Sequence, residues 1–374
     1  MIQCKNCVMD ESDPDIEFNE IGICNHCLNY KNNVYPIYKN NMQNGISAIT
    51  KLIKKLNTNK NKYDCILGLS GGTDSSYLLK VVVENNIKPL CVHVDAGWNS
   101  STAVNNIISL VKSLNVDLVT TIIDWNEMKD LQLALMESSI PNQDVAQDHA
   151  FFVNLYDLAK KFEIKTILNG GNIATESVFP KNWHYTAMDG QNIKAIFSKF
   201  KKRPLKNFKT MSLIQYYFYY PYICGQNVLR PLNFIKYNKQ TAIDELQTIG
   251  WKPYGNKHGE SRFTRYFQDF YLPKKFGLDK RKPHLSSLIL SNQISRHEAV
   301  QVLKQPLYEN QTELKLDRGF IADKLEISEE KLCKLEELPN KSALDYRNDK
   351  YVLKLIKEIK KINKLIKLPV KKYS

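Results

Sequence analysis

No stretch of this chain is apolar over the roughly 20 residues that a membrane-spanning helix needs, so no transmembrane segment is expected. The opening MIQCKNCVMD lacks the apolar run of a secretory signal, and a cytoplasmic protein is expected. Internal repeats and extended low-complexity tracts are absent as well. So is any arginine-rich patch interleaved with aromatics, the usual footprint of a nucleic-acid surface. The formal net charge of +14 is therefore read as a solvated lysine-rich surface, and nucleic acid is not expected as a partner. Much of the excess lies in YVLKLIKEIKKINKLIKLPVKKYS, an amphipathic surface helix whose other reading is contact with a membrane surface or a partner protein. What remains, 374 residues that are 43% hydrophobic, is enough for one large or two modest domains.

Cysteine is sparse and unevenly placed. Beyond residue 27 only Cys65, Cys91, Cys224 and Cys333 occur, each alone. The other four, Cys4, Cys7, Cys24 and Cys27, form two C-x-x-C pairs with sixteen residues between them. In a reducing compartment that spacing points to a metal, not to disulfides. Each C-x-x-C lets one tight turn supply two thiolates, and DPDIEFNEIGIC reads as a hairpin returning the second pair to the first. Four protein ligands leave no open coordination position, so a structural zinc is expected, with an iron–sulfur cluster as the alternative. His26, beside Cys27, is able to replace a thiolate. A module this small has little core and depends on its metal to fold.

From Tyr63 the pattern becomes strand, helix, strand, helix. DCILGLS, KPLCVHVDA, DLVTTIID and IKTILNGGN are short apolar strands; TDSSYLLKVVVENN, STAVNNIISLVKSLN, NEMKDLQLALMESS and DVAQDHAFFVNLYDLAKKFE are helices. The expected fold is α/β, a doubly wound parallel sheet with an N-terminal four-cysteine zinc module and a mostly helical C-terminal region. The expected divisions are the module at 1–32, a helical linker at 33–62, the sheet domain at 63–180 and a substrate-binding and helical region at 181–374. Ligands of such sheets sit beyond the carboxyl ends of the strands, so the loops after Ser70, Asp95, Asp124 and Asn169 are the ones to inspect.

The first of these is LGLSGGTDSSYLLKVVVE. Gly71 and Gly72 remove side chains where backbone N–H groups approach a phosphate, and the helix that follows adds its positive end. Ser70, Thr73, Ser75 and Ser76 add hydroxyls. No lysine follows the glycines, which excludes the Walker loop, and the spacing is not G-x-G-x-x-G. An aspartate, Asp74, stands there instead. The arrangement S-G-G-x-D-S resembles the pyrophosphate-binding loop of the adenine nucleotide alpha-hydrolases, the N-type ATP pyrophosphatases. That resemblance implies ATP cleaved between its alpha and beta phosphates and a carbonyl oxygen adenylated. Asp74 becomes a candidate for Mg²⁺ and for catalysis, or else a shaper of the loop. The end of VHVDAGW, where the superfamily seats adenosine, offers His93, Asp95 and Trp98, with His93 equally readable as a core histidine. NGGNIATES resembles the second nucleotide-side loop, with Gly170, Gly171 and Asn172 toward ATP and Glu176 toward Mg²⁺, or capping the helix it starts.

Three stretches taken together resemble one narrower family. They are CKNCVMDESDPDIEFNEIGICNHC, LGLSGGTDSSY and YGNKHGESRFTRYFQDFYLPKKFGLDKRKPHLSSLILSNQISRHEA. They look like the N-acetyl sugar amidotransferases of bacterial surface-polysaccharide (lipopolysaccharide) and nonulosonic acid biosynthesis. The resemblance implies that ATP activates the oxygen of a sugar acetamido group and that ammonia displaces AMP, leaving an acetamidino group. It also implies a separate glutaminase subunit and a synthase-type ammonia-channelling subunit as partners. The sequence agrees on the separate ammonia source: position 2 is Ile2, and no G-x-C-x-G elbow occurs. Within the third stretch, Lys257, Arg262, Arg265, Lys280, Arg281 and His284 are candidates for an acidic or nucleotide-linked sugar. His258 and Glu260 are candidates for the base that takes a proton from ammonia. The rival expectation is a tRNA-modifying thiolase of the same superfamily. Its sulfur chemistry calls for paired cysteines near the nucleotide, and Cys65, Cys91 and Cys224 are single.

Overall fold

The computed structural model describes residues 2–56, 61–183, 185–254, 260–308 and 310–365, with side chains placed through residue 359. Five strands form one parallel sheet in the order β3-β2-β1-β4-β5. They are β1 (Cys65–Gly68), β2 (Pro89–Asp95), β3 (Asp117–Ile122), β4 (Thr166–Leu168) and β5 (Asn227–Leu229). β1 sits in the centre, paired with β2 on one side and β4 on the other. All four of its residues are buried, as its unbroken apolar run requires of a strand covered on both faces. β3, at the edge, alternates between exposed and half-buried positions.

Alternate residues of each strand serve opposite faces of the sheet. Cys65, Leu67, Cys91 and Leu168 face a core built with α1 (Tyr35–Leu56), α2 (Thr73–Glu84) and α3 (Ser101–Ser113). Ile66, Leu90, Val92 and Ile167 face the other core. There they meet Val153, Leu155, Tyr156 and Ala159 of α5 (Val145–Lys161), which follows α4 (Trp125–Ser138). The chain then runs through α6 (Ile173–Glu176), α7 (Gly190–Lys201), β5 and α8 (Lys239–Gln247). Then come α9 (Arg262–Tyr266), α10 (Arg281–Leu290), α11 (Arg296–Lys304), α12 (Gln311–Leu325), α13 (Glu329–Glu337) and α14 (Lys350–Leu365). Phe263, Tyr266, Phe267 and Tyr271 join Ile321 and Leu332 in a third core shared with α4 and α7. The aromatics of this stretch are therefore packing residues: Phe263, Tyr266, Phe267 and Tyr271 are each at most 1% exposed.

Two features depart from the sequence pattern. The strand–helix alternation does not stop near residue 180: β5 extends the sheet and α8 packs on α2. Three residues, NVL, are too short a run to register as a strand without the partner that pairs with them. The cysteine segment, moreover, is not free-standing. Val8 packs with Leu285 and Ala299, and the four cysteines share a core with Val178 and Trp183.

The order 3-2-1-4-5 has its switch point between β1 and β4, where successive connections run off in opposite directions. In sheets of this kind the crevice for ligands lies beyond the carboxyl ends of the strands at that point.

Candidate active site

The loop after β1 fills one side of that crevice. Gly71 has φ +84°, and a Cβ on it would lie 2.6 Å from the Ala103 carbonyl oxygen, so only glycine fits. Gly72 is the N-cap of α2 and leaves Thr73 as the first helical residue. Ser70 and Ser75 brace the turn: their hydroxyls are 3.2 Å apart, and the Gly72 N–H donates to Ser70 Oγ at 3.2 Å. Ser76 is fully buried, and its hydroxyl has no hydrogen-bond partner among the described residues.

The loop after β4 closes the other side. A Cβ on Gly170 would lie 3.0 Å from the Ser75 nitrogen, so the two glycine loops touch backbone to backbone. The Gly171 N–H donates to Asn169 Oδ1 at 2.6 Å. At Gly171 a Cβ would meet Glu176 Oε2 at 3.1 Å and the Arg230 guanidinium carbon at 3.8 Å. Glu176 thus points back over the loop and is not the helix cap. Asn172 is the cap: it is 2% exposed and accepts from Thr175 N at 3.0 Å, which turns its side chain to the helix.

The end of β2 is a hydrogen-bonded floor. His93 Nδ1 lies 3.2 Å from the Leu69 carbonyl, and its Nε2 lies 3.2 Å from the Asn99 amide nitrogen. The carbonyl can only accept and the amide nitrogen only donates, so the ring is neutral. Burial lowers its pKa, in agreement. Asp95 accepts from Gly97 N and from Asn99. Trp98 is 1% exposed between Trp125 and Phe263, with ring centroids at 5.2 and 4.9 Å, so it belongs to the core and not to an adenosine site.

Three aromatic side chains that sequence reasoning did not single out grip the first loop, at Gly71, Thr73 and Asp74. Trp251 Nε1 donates to the Gly71 carbonyl at 2.9 Å. The Tyr254 hydroxyl accepts from Thr73 N at 3.1 Å. The Tyr237 hydroxyl donates to Asp74 Oδ1. Burial, and then the negative charge of Asp74, push the Tyr237 hydroxyl far above its ordinary pKa, so it stays a donor. Tyr254 opens the third stretch without having been singled out there, and no sequence signal marks Tyr237 or Trp251; all three lie 163 to 181 positions away from their partners.

Of the residues in the third stretch, Glu260 reaches the loop: its Oε1 would lie 3.4 Å from a Cβ on Gly72. Its backbone carbonyl accepts from Ser100 N at 2.7 Å. The arginines expected to meet a substrate hold the protein together instead. Arg262 donates twice to Asp317, at 3.1 and 2.7 Å, and stacks on Phe320. Arg265 pairs with Glu313 at 2.7 Å. Arg281 grips Asp279 and donates to the carbonyls of Val302 and Gln305, capping α11. His284 lies 3.5 Å from the Thr175 carbonyl, close to Glu176 in the chain. Lys280 directly precedes α10. Lys257 and His258 lie outside the described residues. Arg230 is a cation the sequence did not flag, exposed at the end of β5 above Gly171.

The four cysteine sulfurs lie within 4.8 Å of one another, all buried, in an arrangement able to hold a metal ion. Cys4–Cys27, Cys7–Cys24 and Cys24–Cys27 are 3.8, 3.6 and 3.6 Å apart. Backbone N–H groups of Asn6, Cys7 and Cys24 aim at Cys4 Sγ at 3.3–3.4 Å, and Met9 N aims at Cys7 Sγ at 3.4 Å. Donors clustered round sulfur stabilise thiolates over thiols. His26 turns away to Asp13, at 2.6 Å, and takes no part.

The parallel sheet thus places a glycine loop without a Walker lysine beside its switch point. In the C-terminal part of the chain, residues 260–360 match the family described as "LPS biosynthesis protein WbpG-like, C-terminal domain". Over 129 residues, 34% of this chain, it is 31% identical to the uncharacterized protein MJ1599 of Methanocaldococcus jannaschii, of which the match spans 45% of the length. Among solved structures, it is similar to an NMN synthetase from Francisella tularensis (11% identity, 70% of this chain and 95% of that one, TM-score 0.37). It is also similar to an NH3-dependent NAD synthetase from Campylobacter jejuni (15%, 59% and 99%, 0.30). A third similar structure is the U34-tRNA thiolase NcsA from Methanococcus maripaludis with its [4Fe-4S] cluster (11%, 81% and 89%, 0.34).

Proposed function

We propose that this chain is an ATP-dependent amidotransferase that converts the acetamido group of a sugar into an acetamidino group. The observation that supports it most is one contact: Glu260, the first residue of the WbpG-like segment, stands over Gly72 of the glycine loop. That proximity supports a reading in which the sugar acceptor and ATP meet at the glycine loop.

In this scheme the loop Ser70–Ser76, with Gly170 and Gly171, holds the beta and gamma phosphates of ATP. The acetamido oxygen attacks the alpha phosphorus, the bond to pyrophosphate breaks, and an adenylated imidate forms. Ammonia adds to the imidate carbon, and AMP leaves with the oxygen. Glu260 takes the proton that ammonia sheds; His258 is the other candidate. Asp74 and Glu176 are the carboxylates able to hold Mg²⁺, which neutralises the leaving pyrophosphate. His93 and Asp95 form the floor of the adenosine side. Lys280, His284 and Arg230 are the candidates for the sugar's anionic group, by their charge and by the position of Arg230 beside Gly171. Ammonia comes from a separate glutaminase through a synthase-type subunit.

Sulfur transfer to tRNA receives less support. Thiolate nucleophiles need a lowered pKa. Cys65 and Cys91 are fully buried in β1 and β2, and burial pushes Cys91 up to about 12. For the cysteine centre we infer a single zinc ion. A tetrahedral ion with sulfurs at about 2.3 Å sets the sulfurs about 3.8 Å apart, close to the spacing here, whereas a cubane cluster spreads them wider.

The test supplies ATP, Mg²⁺, ammonium and acetamido sugars, free and nucleotide-linked. AMP with a sugar product one mass unit lighter supports the proposal. AMP formed only with tRNA and a sulfur donor overturns it.

A further inference from the structure

The three aromatic grips on the glycine loop are not equivalent. Trp251 and Tyr237 donate, to the Gly71 carbonyl and to the Asp74 carboxylate. Tyr254 accepts, from the N–H of Thr73. Phosphate oxygens are acceptors, so an incoming pyrophosphate competes with Tyr254 and leaves the other two untouched. Thr73 is the first residue of α2, and its N–H is one of the donors that a helix start cannot satisfy internally. The hydroxyl also occupies the space that Gly72 opens by lacking a side chain, since a Cβ there would come within 2.9 Å of it. Donor and space are the two things a glycine loop offers to phosphate.

We propose that the Tyr254 hydroxyl holds the place of a phosphate oxygen on the glycine loop and yields that place when pyrophosphate binds. This rests on the ATP reading above. Tyr254 is a positioning residue in this account: it keeps the Thr73 N–H aimed into the crevice between turnovers and helps expel pyrophosphate afterwards. Its neighbours confine the exchange to the side chain. Asn106 exchanges hydrogen bonds of 2.8 Å with both the N–H and the carbonyl of Lys252. Ser100 N donates to the Glu260 carbonyl at 2.7 Å and Arg262 N to the Trp98 carbonyl at 3.2 Å. Swinging the Tyr254 side chain about its Cα–Cβ bond moves the hydroxyl off the Thr73 N–H; turning the ring about its own axis does not, because the C–O bond lies on that axis.

A tyrosine that merely braced the loop, or one that bound phosphate, would make binding weaker when removed. A place-holder makes it tighter. Tyr254→Phe is therefore expected to lower the Kd for magnesium pyrophosphate by roughly two- to tenfold, the worth of one neutral hydrogen bond, mostly through slower release. The same variant without ligand should melt slightly below wild type. Calorimetric titration and thermal unfolding of the full chain read both. An unchanged or higher Kd overturns the inference. Wild-type protein that binds neither pyrophosphate nor ATP overturns the ATP reading and the inference together. A second measurement avoids the variant: 3-fluorotyrosine placed at 254 should shift its fluorine resonance on adding magnesium pyrophosphate, and an unmoved resonance counts against the exchange.

Discussion

Arg296 donates to the carbonyl of Cys4 through both Nε, at 3.2 Å, and Nη2, at 3.0 Å, and to the carbonyl of Cys7 at 3.1 Å. The first cysteine turn is thereby fastened to α11. Lys282 adds an ion pair with Asp10 at 2.6 Å, and Ser286 accepts from Val8 N at 3.3 Å. On its other side α10 holds the segment after the β4 loop: Val178 N donates to Ser287 Oγ at 3.0 Å, and Ser291 Oγ donates to the Ala174 carbonyl at 2.8 Å. The cysteine cluster therefore supports, through α10, the helix that carries Glu176. Chelating the metal should loosen residues 169–178 as well as 2–27, visible as faster amide exchange in both. Arg296→Ala should weaken metal retention and lower stability by about 1–3 kcal/mol, the range for charged hydrogen bonds.

Asp74 is tied to Tyr237, so its removal has a structural cost that must be separated from its chemical role. Asp74→Ala leaves a buried hydroxyl without its acceptor, at about 1–3 kcal/mol. Asp74→Asn keeps an acceptor oxygen and loses the charge. The Asn variant should melt within about 1 kcal/mol of wild type, yet form AMP at least a hundredfold more slowly, on the order of one lost electrostatic group. Thermal unfolding and AMP release measure the two effects.

Gly71 and Gly170 do different work. Gly71→Ala forces a side chain onto φ +84° and against the Ala103 carbonyl. It should cost about 1–3 kcal/mol of stability and disable the loop. Gly170→Ala has no positive φ to strain, but its Cβ meets the Ser75 nitrogen at 3.0 Å. It should leave the melting temperature nearly unchanged while raising the Kd for pyrophosphate, because it shifts the two loops against each other.

His149 sets an acid limit on stability. It is fully buried; its Nδ1 lies 2.6 Å from the Ala187 carbonyl, and its Nε2 accepts from Met211 N at 3.0 Å. Burial lowers its pKa to about 4, against 6.5 for the free side chain. Between those values the unfolded chain binds a proton that the folded chain refuses. The contribution is complete above pH 6.5 and fades as pH falls toward 4, at up to about 1.4 kcal/mol per pH unit. Urea unfolding at pH 7, 6 and 5 should show this slope. His149→Gln should flatten it, lowering stability at pH 7 and converging on wild type as pH falls toward 4.

Much of the fold was legible because it is local. Fully buried runs such as CILG, separated by amphipathic helices, specify a parallel sheet, and C-x-x-C pairs bring their own geometry. The missing elements are those defined by distant partners. β5 is three residues that become a strand by pairing with β4. Tyr237, Trp251 and Tyr254 look like any aromatics until the fold carries them onto the glycine loop. The arginines misled for the same reason. Arg262 and Arg265 have the chemistry to hold an anion, but the anions they meet, Asp317 and Glu313, belong to α12 and lie about 50 positions away. Residue type reveals what a side chain can bind, while the fold decides whether the protein has already bound it.

The central claim is that the acetamido oxygen is adenylated and leaves with AMP. An acetamido sugar carrying oxygen-18 in its carbonyl, incubated with ATP, Mg²⁺ and ammonium, tests it directly by mass spectrometry of the AMP. The account predicts one oxygen-18 in each AMP released and an unlabelled acetamidino product. AMP without the label, or a sugar that keeps it, contradicts the account.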